Sequence, residues 1–461
     1  MHKLVASIES TIRKTSRIRI SSDVNLQNAG RREALRVVAQ GAVFPVGFFI
    51  SDAAAASSLK NDASMEGVNS IPAKNGLIVR DFGDPWIELL RLLHEAAEVE
   101  HSLMIQYLYA AFSVKKSYQK IVGFGAPSSN ELLGVAIQEM QHLGKVNQLL
   151  VALGATPNLT REDFPYEPQI YPFTFNLEPL SYGSLAKYVW TESPPEATDL
   201  DKVKNENDRV FCRDLERALG TDSRPNYIGS LYDSLITVLK ELDSLNEKNI
   251  PDLQPWITVM HTIKTQGEVE HFRFFKRLFT GVHEGFGGVP DVWNRPVSDP
   301  LYPVNQVLVN PTAYRGHDRQ IQDPQSLNLA WLGNLHYWII LTLLSEGYSQ
   351  GSSDYIGLAR GHMMGPFWAL AKQLSISGAG MPFDPLSIGY SPGLTRQANS
   401  RLLSHLLDET NRLEKQLSAA LPSDFPENCC RLTIAAISRL EPKVNSTYAP
   451  TQPWDDGLAW A

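Results

Sequence analysis

Residues 132–150 read LLGVAIQEMQHLGKVNQLL, and the spacing of their apolar side chains decides the fold class. Leu132, Val135, Ala136, Leu143, Val146 and Leu150 recur at three- and four-residue steps, the period of one helix face. Glu139 and His142 fall within the same stripe. A carboxylate and an imidazole three residues apart on an α-helix lie one above the other, so both can converge on one ion. Inside an apolar face such a pair needs compensation, because an isolated charge in low dielectric is costly. A divalent ion shared by several pairs supplies it.

The same pattern recurs on both sides. Glu-x-x-His occurs as Glu98–His101, Glu139–His142 and Glu268–His271. In the last of these the face runs Ile257, Met260, Gly267, Glu268, His271, Phe275. In the first, Leu93, Ala96, Glu100, Leu103, Met104, Tyr107 and Ala111 form the apolar stripe. Glu100 therefore faces the bundle and Glu98–His101 is a decoy. A four-helix di-metal plan asks for one Glu from each of two helices and one Glu-x-x-His from each of the other two. The chain offers Glu100, Glu139, His142, Glu268 and His271 as metal ligands. The third helix, at Tyr227 to Asp233, shows no inward Glu, which leaves Glu192 or Asp233 to complete the set. Oxygen donors with two imidazoles suit iron, as a di-iron centre, or manganese, with zinc also compatible. Tyr107 is the candidate for a catalytic role, its hydroxyl lying two turns beyond Glu100.

Residues 100–109 (EHSLMIQYLY) and 139–143 (EMQHL) resemble the ferritin-like domain of the iminophenyl-pyruvate dimer synthases, which serve bacterial bisindole pigment pathways. Residues 149–154 (LLVALG) and 266–268 (QGE) fit the same pattern, and 191–194 (TESP) fits it more loosely. The resemblance covers roughly residues 84–280. It implies a ferritin-like four-helix bundle and oxidative work on a small molecule. Where the family pattern has Ile-Gly-Glu, this chain has Ile228-Gly229-Ser230.

Outside that region the signals are coarser. The class is mainly α. Helical patterns run at about 84–115, 129–154, 181–192, 226–246 and 254–280, then at about 325–350, 354–377, 394–420 and 431–444. This gives a bundle over 81–290 and an additional C-terminal helical region over 291–461. The first 56 residues hold eight of the 42 Lys and Arg but only four of the 50 acids, leaving an acidic body within a net charge of −8. Such a body is a poor partner for nucleic acid or anionic membranes. Arg31-Arg32 precede a 14-residue apolar run, Val37 to Ile50, and then Ala53 to Ala56. That is the order of a twin-arginine export signal, too short and too interrupted for a stable membrane span. A periplasmic or secreted protein is expected, with a cytoplasmic one as the alternative; residues 57–80 read as a linker. Export would also allow a bridge from Cys212 to Cys429 or Cys430. His336, Glu346 and His362 on later helices admit a second metal site, although their surroundings read mainly as core.

The expected function is an oxidase- or oxygenase-type di-metal oxidoreductase using O2 or peroxide on a small organic substrate. The alternative is a non-catalytic exported metal- or partner-binding protein with an impaired site, and a third reading is peroxide or metal detoxification. An oligomer is compatible with the sequence. Gly123-Phe124-Gly125 is a loop rather than a nucleotide motif.

Overall fold

The computed structural model describes residues 80–161, 173–220, 227–245, 250–386, 396–440 and 452–453, all within the unit Val68–Ala461. The export signal, and the linker apart from Arg80, lie outside the described residues. Among the described residues no β-strand forms.

Helix α1 (Pro85–Ser113) starts where the sequence is built to start a helix. Asp84 accepts a hydrogen bond from the Ile87 amide at 2.9 Å, and Pro85 occupies the first turn, where a missing N–H costs nothing. A four-residue helix α2 (Gln119–Val122) follows, then α3 (Leu132–Ala152). α3 lies along α1 and forms the first half of the bundle. The far side is a nearly unbroken rod: α7 (Gln254–Thr265), a π-helical turn (Gln266–His271) and α8 (Phe272–Phe279).

The third wall is built in two pieces. α4 (Tyr182–Glu192) packs on α8, while α6 (Ile228–Ser244) packs on α7 and α1. Pro194 and Pro195 stop α4, since neither can continue the backbone ladder. The two pieces meet through Trp190 stacked on Tyr227, with ring centroids 5.4 Å apart, and Tyr227 Oη hydrogen-bonds Thr198 Oγ1 at 3.0 Å. Between them lies α5 (Glu206–Leu219), which buries only Phe211, Cys212 and Leu215. Its periodicity is masked by charges, and the sequence reading passes over it.

The C-terminal helices gather around α9 (Pro324–Gln350). They are α10 (Ser353–His362), a second π-turn (Met363–Phe367), α11 (Trp368–Ile376), α12 (Arg396–Gln416) and α13 (Cys429–Leu440). α9 is long and apolar enough to cross a membrane, yet 83% of its most apolar window is buried inside the fold. It is a core helix. Tyr337 on α9 hydrogen-bonds His101 Nε2 at 2.7 Å, and Phe112 meets Trp368 edge-on at 5.2 Å, so one core runs through both halves. Between α1, α3 and the C-terminal helices lies an apolar pocket that is partly open to solvent. Met104, Leu108, Met140, Leu344, Met363 and Phe367 are among its walls. No disulfide joins Cys212 to Cys429 or Cys430.

Candidate metal centre

Five acidic and imidazole side chains from four helical segments converge in the bundle. Glu100 comes from α1, Glu139 and His142 from α3, Glu192 from the last residue of α4, and His271 from the π-turn. None is more than 5% exposed. They form two overlapping groups, Glu100–Glu139–His142 and Glu139–Glu192–His271, and in each the donor atoms lie within 4.8 Å of one another. Glu139 belongs to both. Its Oε2 is 2.8 Å from His142 Nδ1, and its Oε1 is 3.0 Å from His271 Nδ1. Glu100 Oε2 lies 3.4 Å from His142 Nδ1, and Glu192 Oε2 lies 3.6 Å from His271 Nδ1.

Outer partners fix the orientation of each donor. His142 Nε2 contacts Gln266 Oε1 at 2.8 Å and His271 Nε2 contacts Gln138 Oε1 at 3.0 Å. An amide oxygen can only accept, so each Nε2 carries the proton, and in the neutral ring each Nδ1 turns a lone pair inward. Tyr107 Oη donates to Glu192 Oε1 at 2.5 Å, and Tyr232 Oη donates to Glu100 Oε1. Each outlying carboxylate therefore has one oxygen held by a phenol and the other facing the cluster.

The electrostatics show what the chain does with protons alone. Burial, with repulsion from Glu139 adding to it, pushes Glu100 up to about 8. Burial and Glu139 likewise raise Glu192. Burial would also raise Glu139, but His271 and His142 outweigh it and hold the carboxyl well below its usual value. Burial disfavours both imidazolium ions. Glu139 and Glu100 nonetheless keep His142 well above its usual value, and Glu139 with Glu192 lifts His271 to about 9. Even so, Glu100 Oε2 and His271 Nδ1 have no hydrogen-bond partner. Buried orphan donors and acceptors of this kind are uncommon. Two divalent ions sharing Glu139 would satisfy both atoms, so the residues present fit a carboxylate–imidazole di-metal centre.

Two of the sequence candidates lie elsewhere. Glu268 is only half-buried, and its carboxylate lies 3.7 Å from Lys264 Nζ. The reason is the π-turn. Its i→i+5 bonding puts more than four residues in a turn, so three residues no longer return a side chain to its own face. Gly267, four before His271, shares its buried side instead. A methyl there would come 2.9 Å from Glu192 Oε2, so glycine leaves room for that carboxylate. Gly229 does the same for Glu268, whose Oε1 would lie 2.0 Å from an added Cβ. Asp233 is exposed and holds Lys264 Nζ at 2.8 Å. Glu98 takes hydrogen bonds from Asn158 and Thr160 at 3.3 Å, outside the cluster. The sequence does not mark Tyr232 and Gln138 as partners of the site: Tyr232 lies on an ordinary apolar stripe and Gln138 carries no signature. Gln266 belongs to the QGE stretch, without its contact to His142 being legible there.

Comparison with known proteins agrees with this architecture. Residues 93–280 match the family model described as ferritin-like, and the bundle is a ferritin-like domain with additional C-terminal helices. Over 130 residues the chain is 30% identical to a dichlorochromopyrrolate synthase of Lentzea aerocolonigenes, covering 23% of this chain and 13% of that protein. The chain thus spans a small part of the relative that it matches. No solved structure matches it.

Proposed function

We propose that this ferritin-like chain is a di-metal oxidoreductase that uses O2 or peroxide to oxidise a small, largely apolar organic molecule. The reading rests on one observation, the two oxygens of Glu139 facing one imidazole each. Glu100, Glu139 and His142 would hold one iron or manganese ion, and Glu139, Glu192 and His271 the other. When bound, the pair supplies electron-transfer chemistry towards the oxidant that no side chain here provides.

The protein's own part is positioning and exclusion. Gln266 and Gln138 fix both imidazole tautomers, and Tyr107 and Tyr232 each hold a phenolic proton on a carboxylate. Phe275 and Tyr188 pack on the Tyr107 ring, at 4.8 and 5.0 Å between centroids, and keep water from that side. The apolar pocket supports the substrate class. Met104 follows Glu100 by one turn, and Met140 and Leu143 adjoin Glu139 and His142, so its wall belongs to the helices that carry the ligands. Apolar pockets with few polar groups are the usual form of small-molecule sites. The related synthase is named for making an aromatic product, consistent with such a substrate.

The test is elemental analysis joined to oxygen uptake. Protein from a metal-replete host should carry about two ions of iron or manganese per chain, and the iron-loaded form should consume O2 when given an oxidisable aromatic substrate. Metal bound without oxygen or peroxide turnover over a broad substrate panel would leave the non-catalytic reading in its place. Absence of bound metal would remove both.

A further inference from the structure

The C-terminal helices enclose a second group of donors that the centre above does not use. His336 on α9, Glu414 on α12 and Cys430 on α13 place one donor atom each within 4.8 Å of the others. His336 Nε2 is 3.2 Å from Glu414 Oε1, and Cys430 Sγ is 3.5 Å from the same oxygen. His336 is wholly buried and its Nε2 has no hydrogen-bond partner. Cys430 is also fully buried, and Glu414 is 8% exposed.

The other nitrogen of His336 is held from behind. Its Nδ1 lies 3.0 Å from Nδ1 of His362, whose Nε2 contacts Thr433 Oγ1 at 2.9 Å. With Thr433 accepting from His362 Nε2–H, His362 Nδ1 is an acceptor and His336 Nδ1–H donates to it. His336 Nε2 is then a lone pair aimed at Glu414 and Cys430. An acceptor that takes the far N–H of an imidazole fixes its tautomer and ring orientation, as outer partners do for metal-ligating histidines, and here His362 fills that place.

We infer that His336, Glu414 and Cys430 form a second metal site, separate from the ferritin-like centre, for a single divalent ion of zinc type. Three arguments carry it. Ligand bonds of about 2.0–2.3 Å at tetrahedral angles put donors roughly 3.3–3.8 Å apart; the Cys430–Glu414 separation of 3.5 Å falls in that range and the His336–Glu414 separation of 3.2 Å lies just below it. A neutral imidazole, a carboxylate and a thiolate carry two negative charges, which one divalent ion neutralises in a buried place. A mixed nitrogen, oxygen and sulfur set favours a borderline-soft ion such as zinc and differs from the sulfur-free set of the bundle. On binding, the Cys430 thiol gives its proton to solvent and forms the metal–sulfur bond. The ion would tie α9 to α12 and α13 and leave a fourth position open.

Cobalt(II) is the probe, because only a thiolate-ligated cobalt gives an intense sulfur-to-metal charge-transfer band, and the bundle centre has no sulfur. The full chain loaded with cobalt(II) should show that band, and it should persist in a His142→Ala/His271→Ala variant. Cys430→Ser should abolish it, while Cys429→Ser should keep it. If serine at 430 prevents folding, His336→Gln retains the thiol and should weaken cobalt binding roughly 10-fold or more. A folded wild-type protein without the band overturns the inference. So does a band that survives Cys430→Ser, or unchanged affinity in His336→Gln.

Discussion

Glu139→Gln is expected to release both ions of the bundle together, taking metal content from about two per chain to nearly none. Glutamine keeps the shape and one oxygen donor but removes the negative charge from which both imidazoles and both ions draw. Outer partners alone are worth roughly 10–100-fold in metal affinity, so losing a shared ligand weakens each ion by more than that. The contrast with its neighbours makes the test sharp. Glu100→Gln and Glu192→Gln each touch one group, and each should cost about one ion per chain in a four-helix carboxylate site. Asp233→Ala should cost none, because Asp233 is engaged with Lys264 on the surface. Elemental analysis of the four variants, each checked for helix content, reads the outcome. One tightly bound ion remaining in Glu139→Gln would show that the two groups do not share a ligand.

The second large effect is on stability and its dependence on pH. Removing the metal leaves three carboxyl groups and two imidazoles buried together, balanced only by protons. In that stripped state His271 titrates near 9 against an ordinary 6.5, and His142 is also raised. A raised imidazole contributes stability fully below its unfolded value and loses it as pH climbs through the folded one. Glu100, near 8 against 4.5, acts in the same direction, since its protonated form is the one that the fold favours. Glu139 acts the other way, and its contribution fades only in acid, below its unfolded 4.5. The folded state therefore holds more protons than the unfolded one from about pH 4.5, where Glu100 begins to act. The stripped protein should lose stability up to about 9, most steeply in the window from 6.5 to 9 where the imidazoles also titrate. The loaded protein has exchanged those protons for ions and should stay level over the same window. With free metal near 1,000 times its Kd the gap is about 4 kcal/mol per site, a difference of many degrees in Tm. Thermal melts of chelated and loaded protein at several pH values check it. Parallel curves would mean that the ions do not replace those protons.

How far the sequence carried the reading depended on helix type. Glu100 could be chosen over Glu98 because α1 is regular, and a 3.6-residue period says which carboxylate shares a stripe with Leu103 and Tyr107. The same logic failed at Glu268. The apolar pattern of 256–275 is equally helical, but nothing in it announces a π-turn, and the wider turn separates Glu268 from His271. Glu192 could only be an alternative, because Pro194-Pro195 ends its helix and nothing in the helical patterns at 181–192 and 226–246 says that the two pieces build one wall. Of the C-terminal residues that the sequence singles out, His336 joins the proposed donor group and His362 backs it, whereas Glu346 instead accepts from Asn399 at 2.8 Å. Glu414 and Cys430 come from helices much further along the chain. Only folding brings them together.

The outward turn of Glu268 also sets the net charge of the loaded bundle centre. Two divalent ions bring four positive charges and meet three carboxylates and two neutral imidazoles, leaving an excess of one. A buried excess of that kind is costly until an anion cancels it. Glu268 in the cluster would have cancelled it permanently. With Glu268 paired to Lys264 instead, the fourth negative charge must arrive with the oxidant, a hydroxide or the substrate. The loaded centre should accordingly prefer molecules bearing a carboxylate to their neutral amides. Competition by small monovalent anions such as azide, followed by metal absorption, would measure that preference, and indifference to them would refute it.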